Sequence, residues 1–171
     1  PQDLGAFPYL RPGSGCKGAR TMTELDRLMQ VMEASFDPHY REAWTRRQVE
    51  DSLLVPSTFA ILCNETGNQI SDDETAAGFI LARQAADEIE LLLIAVDPSY
   101  RRKGIGSRLL QRFLDVASER GASDVFLEMR ANNPAVTVYL AAGFEQIGHR
   151  AAYYRTVSGE TIDALTFGRK V

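Results

Sequence analysis

The chain has 171 residues, of which 44% are hydrophobic and 25% are charged, and its formal net charge is −4. This composition is typical of a soluble globular protein with one substantial core. The acidic balance argues against a general nucleic-acid-binding protein, and no apolar run reaches membrane-spanning length, so neither nucleic acid nor membrane is an expected partner.

The stretch 1–20 opens the chain with three prolines and four glycines. This composition predicts a loosely ordered arm, followed by a single domain over 21–171. The two cysteines, Cys16 and Cys63, are too few for a disulfide framework or a zinc site. Reduced thiols are the simpler interpretation, and they predict a cytoplasmic protein.

Capping patterns predict two helices after the arm. Thr23 is placed to cap a first helix that runs to about Ser35. Thr45 and Gln48 form the capping-box pattern of a second helix, which Pro56 ends. Both helices carry apolar residues at helical spacing, so each is expected to bury one face.

The hydrophobic pattern after this point predicts six strands and two further helices. The strands cover 58–63, 76–84, 89–96, 124–129, 144–150 and 162–170. One helix begins near Ser107 and ends at Gly121, the other runs from about Pro134 to Ala142, and 151–161 is a connecting segment. The pattern predicts an α+β domain of three layers, with helices on both faces of one mixed sheet.

The stretch "AVDPSYRRKGIGSRLL" joins a predicted strand to a predicted helix through a basic, glycine-containing corner. Gly104 and Gly106 leave room for a ligand to approach the backbone, and the helix start offers unpaired N–H groups to an anion. Arg101, Arg102 and Lys103 add positive charge. Neither the dinucleotide fingerprint nor the Walker loop matches. From these residues alone, a diphosphate-binding corner and a solvated basic turn are about equally good interpretations.

Arg101-x-x-Gly104-x-Gly106, after a strand, resembles the acetyl-coenzyme-A-binding loop of the GNAT superfamily of N-acetyltransferases. Three segments, "LLIAVDPSYRRKGIGSRLL", "LEMRANNPAVTVYLAAGF" and "HRAAYY", resemble RimI-type ribosomal-protein-alanine N-acetyltransferases. The resemblance runs from about residue 36 to 167. It implies the GNAT fold with about six or seven strands, acetyl-CoA as cosubstrate, no metal, and a protein N-terminus as acceptor, possibly that of a ribosomal protein.

The same resemblance implies which residues hold acetyl-CoA. The pantetheine arm would lie along the backbone of Ile94, Ala95 and Val96. The pyrophosphate would be surrounded by Arg101, Arg102, Lys103, Gly104, Ile105, Gly106 and Ser107. Asn132 or Asn133 would also contact the cofactor. Asn132 is favoured because it keeps the family's spacing to Tyr139, although the loop is one residue short.

Two residues are candidates for acid–base chemistry. Glu128 interrupts an apolar strand, and from the residues alone it is equally well a structural carboxylate paired with an arginine such as Arg130. Tyr139 alone would be a core residue of its helix. The resemblance assigns Glu128 as general base and Tyr139 as the acid that protonates the coenzyme A thiolate and contacts the cofactor.

The resemblance also implies an acceptor groove lined by Tyr153 and Tyr154, with Trp44 on the opposite wall. Glu90, which strand alternation places on the face of Leu92 and Ile94, is a secondary candidate for holding the amine. No histidine or cysteine grouping predicts a metal site. Two alternatives stay open: an enzyme that acetylates a small amine such as a polyamine or aminoglycoside, and a non-catalytic module that binds acetyl-CoA.

Overall fold

The computed structural model describes residues 22–71 and 74–171. Its elements are α1 (Glu24–Ser35), α2 (Arg46–Leu53), β1 (Thr58–Cys63), β2 (Gly78–Ala85), β3 (Glu88–Val96), α3 (Ile105–Glu119), β4 (Asp124–Arg130), α4 (Val136–Ala141), β5 (Glu145–Arg155) and β6 (Thr161–Lys170), with 3-10 turns at Pro38–Tyr40 and Pro98–Tyr100. The arm predicted over 1–20 lies outside the described residues. The division into an arm and one domain therefore stays a prediction.

The six strands form one mixed sheet in the order β1-β2-β3-β4-β6-β5. Strands β3 and β4 pair in parallel, and the other neighbours pair antiparallel. One core lies between the sheet and the α3 and α4 face, and a second lies between the sheet and the α1 and α2 face. The predicted mixed sheet with helices on both faces is confirmed. None of the helices in these residues is long and apolar enough to cross a bilayer.

The helix starts follow from local capping, with small shifts in two of them. Both predicted capping patterns form, at Thr23 and at Thr45. Helix α3 begins at Ile105, two residues before the predicted start, because Gly104 occupies the cap position with a φ of +75°. Helix α4 begins at Val136 rather than at Pro134, and it has only six residues.

A bulge in β3 changes which face its side chains meet. The β2–β3 ladder skips Leu92, so β3 carries one extra residue there. Leu91 packs into the core beneath α3, whereas Leu93 packs into the core beneath α1 and α2. The expectation that Glu90 shares a face with Ile94 is therefore wrong, since the bulge exchanges the two faces between these positions.

The parallel pair β3–β4 separates before either strand ends. Pairing joins Glu88–Leu91 to Asp124–Leu127 and stops there. Strand β3 continues to Val96 against β2, while β4 continues to Arg130 against β6. A gap therefore opens in the middle of the sheet, between two strands that are each held only on their outer side.

The terminal hairpin is longer than predicted. Strand β5 extends to Arg155, so Tyr153 and Tyr154 lie within a strand and not in the connecting segment. A two-residue bulge between Arg150 and Tyr154 interrupts the ladder, and Ala152 adopts a φ of +52° there. The Asp163 carboxylate stabilises this bulge, accepting the Ala152 N–H at 2.8 Å and lying 2.7 Å from His149 Nε2.

Gly78 lies where the neighbouring strands leave no room for a side chain. A Cβ at this position would be 2.9 Å from the Ala95 carbonyl oxygen, 3.2 Å from Cys63 Sγ and 3.4 Å from Leu109 Cδ2. We expect Gly78→Ala to lower the free energy of unfolding by about 1–3 kcal/mol, because the backbone oxygen cannot move aside. Urea unfolding measures the change.

Gly106→Ala is the matched control for this substitution. Its added Cβ would have Val96 Cγ2 as nearest neighbour at 3.8 Å, which is ordinary contact. We expect the control to stay within about 0.5 kcal/mol of the parent. Equal stability of both variants would contradict the close packing at Gly78.

Candidate active site

A cavity of about 300 Å³ lies where β3 and β4 separate. Five of the residues predicted for the site line it, namely Trp44, Ile94, Glu128, Tyr139 and Tyr154. The remaining lining comes from the strands on either side of the gap, the segment between α1 and α2, helix α2 and the loop after β4. These residues are Leu91–Leu93, Leu127, Met129, Phe36, Arg41, Glu42, Ala43, Gln48 and Asn133. The gap in the sheet thus brings together residues from four regions of the chain.

The two predicted acid–base residues reach the cavity from opposite faces of the sheet. Leu127 and Met129 of β4 pack into the core beneath α3, so Glu128 between them points to the α1 and α2 side. Tyr139 belongs to the core on the α3 side. A molecule in the cavity is therefore accessible to a carboxylate from one side and to a phenol from the other.

Tyr139 is held in a tightly packed aromatic environment. Its side chain is 4% exposed, meets the Phe144 ring edge-on at 5.9 Å between centroids and stacks on Phe167 at 6.5 Å. Burial first, and the negative charge of Glu42 second, raise the pKa of Tyr139 well above its usual value. The phenol therefore keeps its proton throughout the physiological pH range.

Glu128 is paired with an arginine, but not with the one that the sequence suggested. Arg150 donates to Glu128 Oε2 from Nε at 3.0 Å and also from Nη2. Arg130 instead donates from Nε to Glu42 at 3.1 Å. The structure thus contains an ion pair at the candidate base, contributed by β5 across the sheet.

Glu42 is a cavity residue that the sequence analysis did not identify. It lies in the segment between α1 and α2, and its pair with Arg130 is only 18% and 11% exposed, respectively. Arg130 is further held by Asn132 Oδ1 at 2.7 Å and stacks over the Tyr40 ring at 3.6 Å. The sequence offered one clue to Glu42: Arg130 lies on a half-buried strand and needs an anionic partner. It did not indicate which of the many carboxylates is that partner.

The two asparagines after β4 have different surroundings. Asn133 lines the cavity, and its Oδ1 accepts the Ala135 N–H at 3.0 Å. Asn132, which the spacing favoured, is turned toward Arg130. The geometry therefore favours Asn133 over Asn132 as the residue able to meet a molecule in the cavity.

The remaining predicted acceptor residues divide between the cavity and the surface. Tyr154 lines the cavity, where burial and then the negative charge of Glu128 raise its pKa to about 12. Tyr153 is about half exposed and packs its ring edge-on against Tyr154. Glu90 does not line the cavity and forms a surface ion pair with Arg83 at 2.8 Å.

The basic corner after β3 has the features of an anion site built from main-chain groups. The cap position Gly104 provides no side-chain hydrogen bond, which leaves the first N–H groups of α3 available. Gly106 is open, with Val96 Cγ2 as the nearest atom to a built Cβ, at 3.8 Å. Since Ile105, Gly106 and Ser107 form this first turn, the corner fits a diphosphate.

The arginines of the corner differ in what they hold. Arg101 donates from Nε to the Val96 carbonyl and from Nη2 to the Ser35 carbonyl, both at 3.0 Å. Arg108 donates to the Thr66 and Lys103 carbonyls. These two side chains fix the loop while contributing charge, whereas Arg102 and Lys103 are exposed. No cluster of metal-ligating side chains occurs within 22–71 and 74–171.

A double-mutant cycle on Glu42 and Arg130 tests whether this pair fixes the cavity wall. We expect Glu42→Gln and Arg130→Gln to show a coupling of about 1–3 kcal/mol in the free energy of unfolding, because each leaves the other charge largely buried. The exposed helical pair Arg47–Asp51, at 3.7 Å, is the control and should couple by about 0.3–0.5 kcal/mol. Equal coupling in both cycles would argue against a structural role for Glu42.

The comparisons with known proteins agree with this geometry. The model of the acetyltransferase (GNAT) family matches residues 25–144. The ribosomal protein bS18-alanine N-acetyltransferase of Haemophilus influenzae is 32% identical over 121 residues, covering 68% of this chain and 83% of that protein. Its counterpart from Escherichia coli K12 is 37% identical over 92 residues, covering 53% of this chain.

The chain spans only 62% of the length of this E. coli relative in that match. The crystal structure of the ribosomal-protein-S18-alanine N-acetyltransferase from E. coli superimposes with a TM-score of 0.73 at 25% identity, covering 86% of this chain and 88% of that one. The predicted GNAT fold is thereby confirmed. The chain belongs to the acetyltransferase (GNAT) family.

Proposed function

We propose that this protein transfers an acetyl group from acetyl-CoA to the N-terminal α-amine of a protein. The single observation that supports this most is the cavity in the sheet gap, where Glu128 and Tyr139 reach the same space from opposite faces. The N-terminal alanine of ribosomal protein bS18 is the first acceptor to test, because the relatives from E. coli and H. influenzae are named for it.

The donor would be held by main-chain groups on the α3 side. The corner Arg101–Ser107 would surround the pyrophosphate, and the backbone of Ile94–Val96, which β4 no longer pairs, would align the pantetheine arm. Asn133 is positioned to add a contact from the other side of the gap. Bound acetyl-CoA would supply the thioester carbonyl that the amine attacks.

Glu128 and Tyr139 divide the proton transfers between them. Glu128 accepts a proton from the incoming amine, directly or through a water, and an α-amine with a pKa of about 7.7–8.0 needs no stronger base. Tyr139, which burial keeps protonated, donates toward the departing sulfur. Because the two groups reach the cavity from opposite faces, neither has to move for the other to transfer its proton.

The acceptor would approach from the α1 and α2 side. Trp44 and Tyr154 offer aromatic walls there, and Glu128, whose ion pair with Arg150 is open to solvent, supplies a carboxylate. These groups favour a positively charged amine, once it replaces Arg150, attached to a chain that packs on aromatic rings. A polypeptide N-terminus combines these two properties.

We expect Glu128→Gln and Tyr139→Phe to lower kcat by about 10²–10⁴-fold, since each removes one positioned proton-transfer group. Calorimetry should show that the affinity for coenzyme A falls far less than kcat in both variants, because the corner expected to hold the pyrophosphate is untouched. Glu145→Gln, an exposed carboxylate change on β5, is the control. Parent-like turnover in Glu128→Gln would remove Glu128 as base, and in Tyr139→Phe would remove Tyr139 as acid.

Mass spectrometry on a matched acceptor panel tests the proposed substrate class. The panel holds an alanine-initiated bS18 peptide, the same peptide without its α-amine, and polyamine and aminoglycoside acceptors. We expect acetylation of the first peptide at its N-terminus and none of the second. Acetylation of small amines alone would establish the small-amine alternative, and binding of acetyl-CoA without any transfer would establish the non-catalytic one.

A further inference from the structure

The cavity contains two carboxylates that are neutralised in very different ways. Glu42 is paired with Arg130, which is 11% exposed, donates to Asn132 and lies over the Tyr40 ring. Moving this arginine would break all three contacts and leave charge buried. The Glu42 pair is therefore a fixed part of the cavity wall.

The pair at Glu128 is open to solvent. Arg150 is 53% exposed, Glu128 is 23% exposed, and the guanidinium carbon of Arg150 lies 3.8 Å from the centroid of the Tyr153 ring. Loss of an exposed ion pair costs little, and a guanidinium can stay over an aromatic ring when its carboxylate partner is removed. The Arg150 side chain can therefore release Glu128 and remain stacked on the Tyr153 ring.

The position of Arg150 conflicts with a base role for Glu128 in the resting protein. Both donors of Arg150 meet Glu128 Oε2, and an arginine cannot accept the proton itself because it stays charged. An incoming ammonium carries the same charge and is attracted to the same carboxylate. Arg150 and the acceptor amine therefore compete for Glu128.

We propose that Arg150 is a positioning residue, a displaceable counter-ion that holds the Glu128 carboxylate in place until the acceptor ammonium replaces it. This proposal rests on the proposed function and deepens it by naming how the acceptor gains access to the base. Tyr153, predicted for the acceptor groove but outside the cavity, supplies the position over which the released guanidinium stays.

Other charged and titratable groups face the cavity or lie near Glu128. They are Arg41 and Glu42 from the segment before α2, Arg130 from β4, Tyr139 from α4, and Tyr153 and Tyr154 from β5. None of the cations among them donates to Glu128 in the structure, since Arg130 is committed to Glu42. Removal of Arg150 therefore changes the electrostatics of Glu128 selectively.

The test compares Arg150→Gln and Arg150→Lys with the parent, using saturating acetyl-CoA and the bS18 peptide from pH 6 to 9. In Arg150→Gln we expect KM for the peptide to fall about two- to five-fold at pH 8.5, with kcat within about two-fold, because an exposed competing ion pair has been removed.

Arg150→Lys keeps the cation and should restore the parent KM. Arg155→Gln removes one exposed positive charge from the same strand and should leave KM and kcat unchanged. Together these results separate release of Glu128 from a general change in charge.

Trp44 is the one tryptophan of the chain and lines the cavity, so its fluorescence measures peptide binding independently of turnover. Tighter binding of the peptide to Arg150→Gln than to the parent supports the proposal even where transfer is slow. A rise in KM for the peptide, an equal fall in kcat and kcat/KM, or unchanged kinetics and binding would each overturn it. Absence of transfer by the parent itself would instead contradict the proposed function.

Discussion

The separation of β3 and β4 after Leu91 and Leu127 is the constraint on which the site depends. Two parallel strands normally satisfy each other's peptide groups, and buried groups without a partner are costly. Here the ladder stops while both strands continue, so main-chain groups face a gap that an extended molecule can fill. The bulge at Leu92 occurs at the same level and turns Ile94 toward the α3 core. The strand separation and the change of face together thus shape the cavity between β3 and β4.

The charged residues of the cavity are balanced by partners from distant parts of the chain. Glu42 precedes α2 and meets Arg130 at the end of β4, while Glu128 meets Arg150 from β5. A cavity holding two uncompensated carboxylates would carry a large desolvation cost. Pairing each with an arginine reduces that cost, and the difference in exposure between the two arginines leaves one carboxylate fixed and the other exchangeable.

What the sequence predicted well was determined locally. The caps at Thr23 and Thr45 and the strand that carries Glu128 each depend on residues a few positions apart. The partner of Glu128 was missed because it is 22 positions away and comes from another strand. A ladder shift such as that at Leu92 has no local signature in an all-apolar run. Likewise, the length of β5 depends on Asp163, which supports the bulge from across the hairpin.

The location of Glu128 and Tyr139 on opposite faces has a consequence for how such a protein can diversify. The first helical turn at the basic corner packs into the α3 core, whereas Trp44 packs into the α1 and α2 core. Substitutions around Trp44 therefore fall outside the core that positions the first turn of α3. One fold can therefore evolve to bind a different acceptor through changes in short surface segments, while the segment proposed to bind acetyl-CoA keeps its sequence.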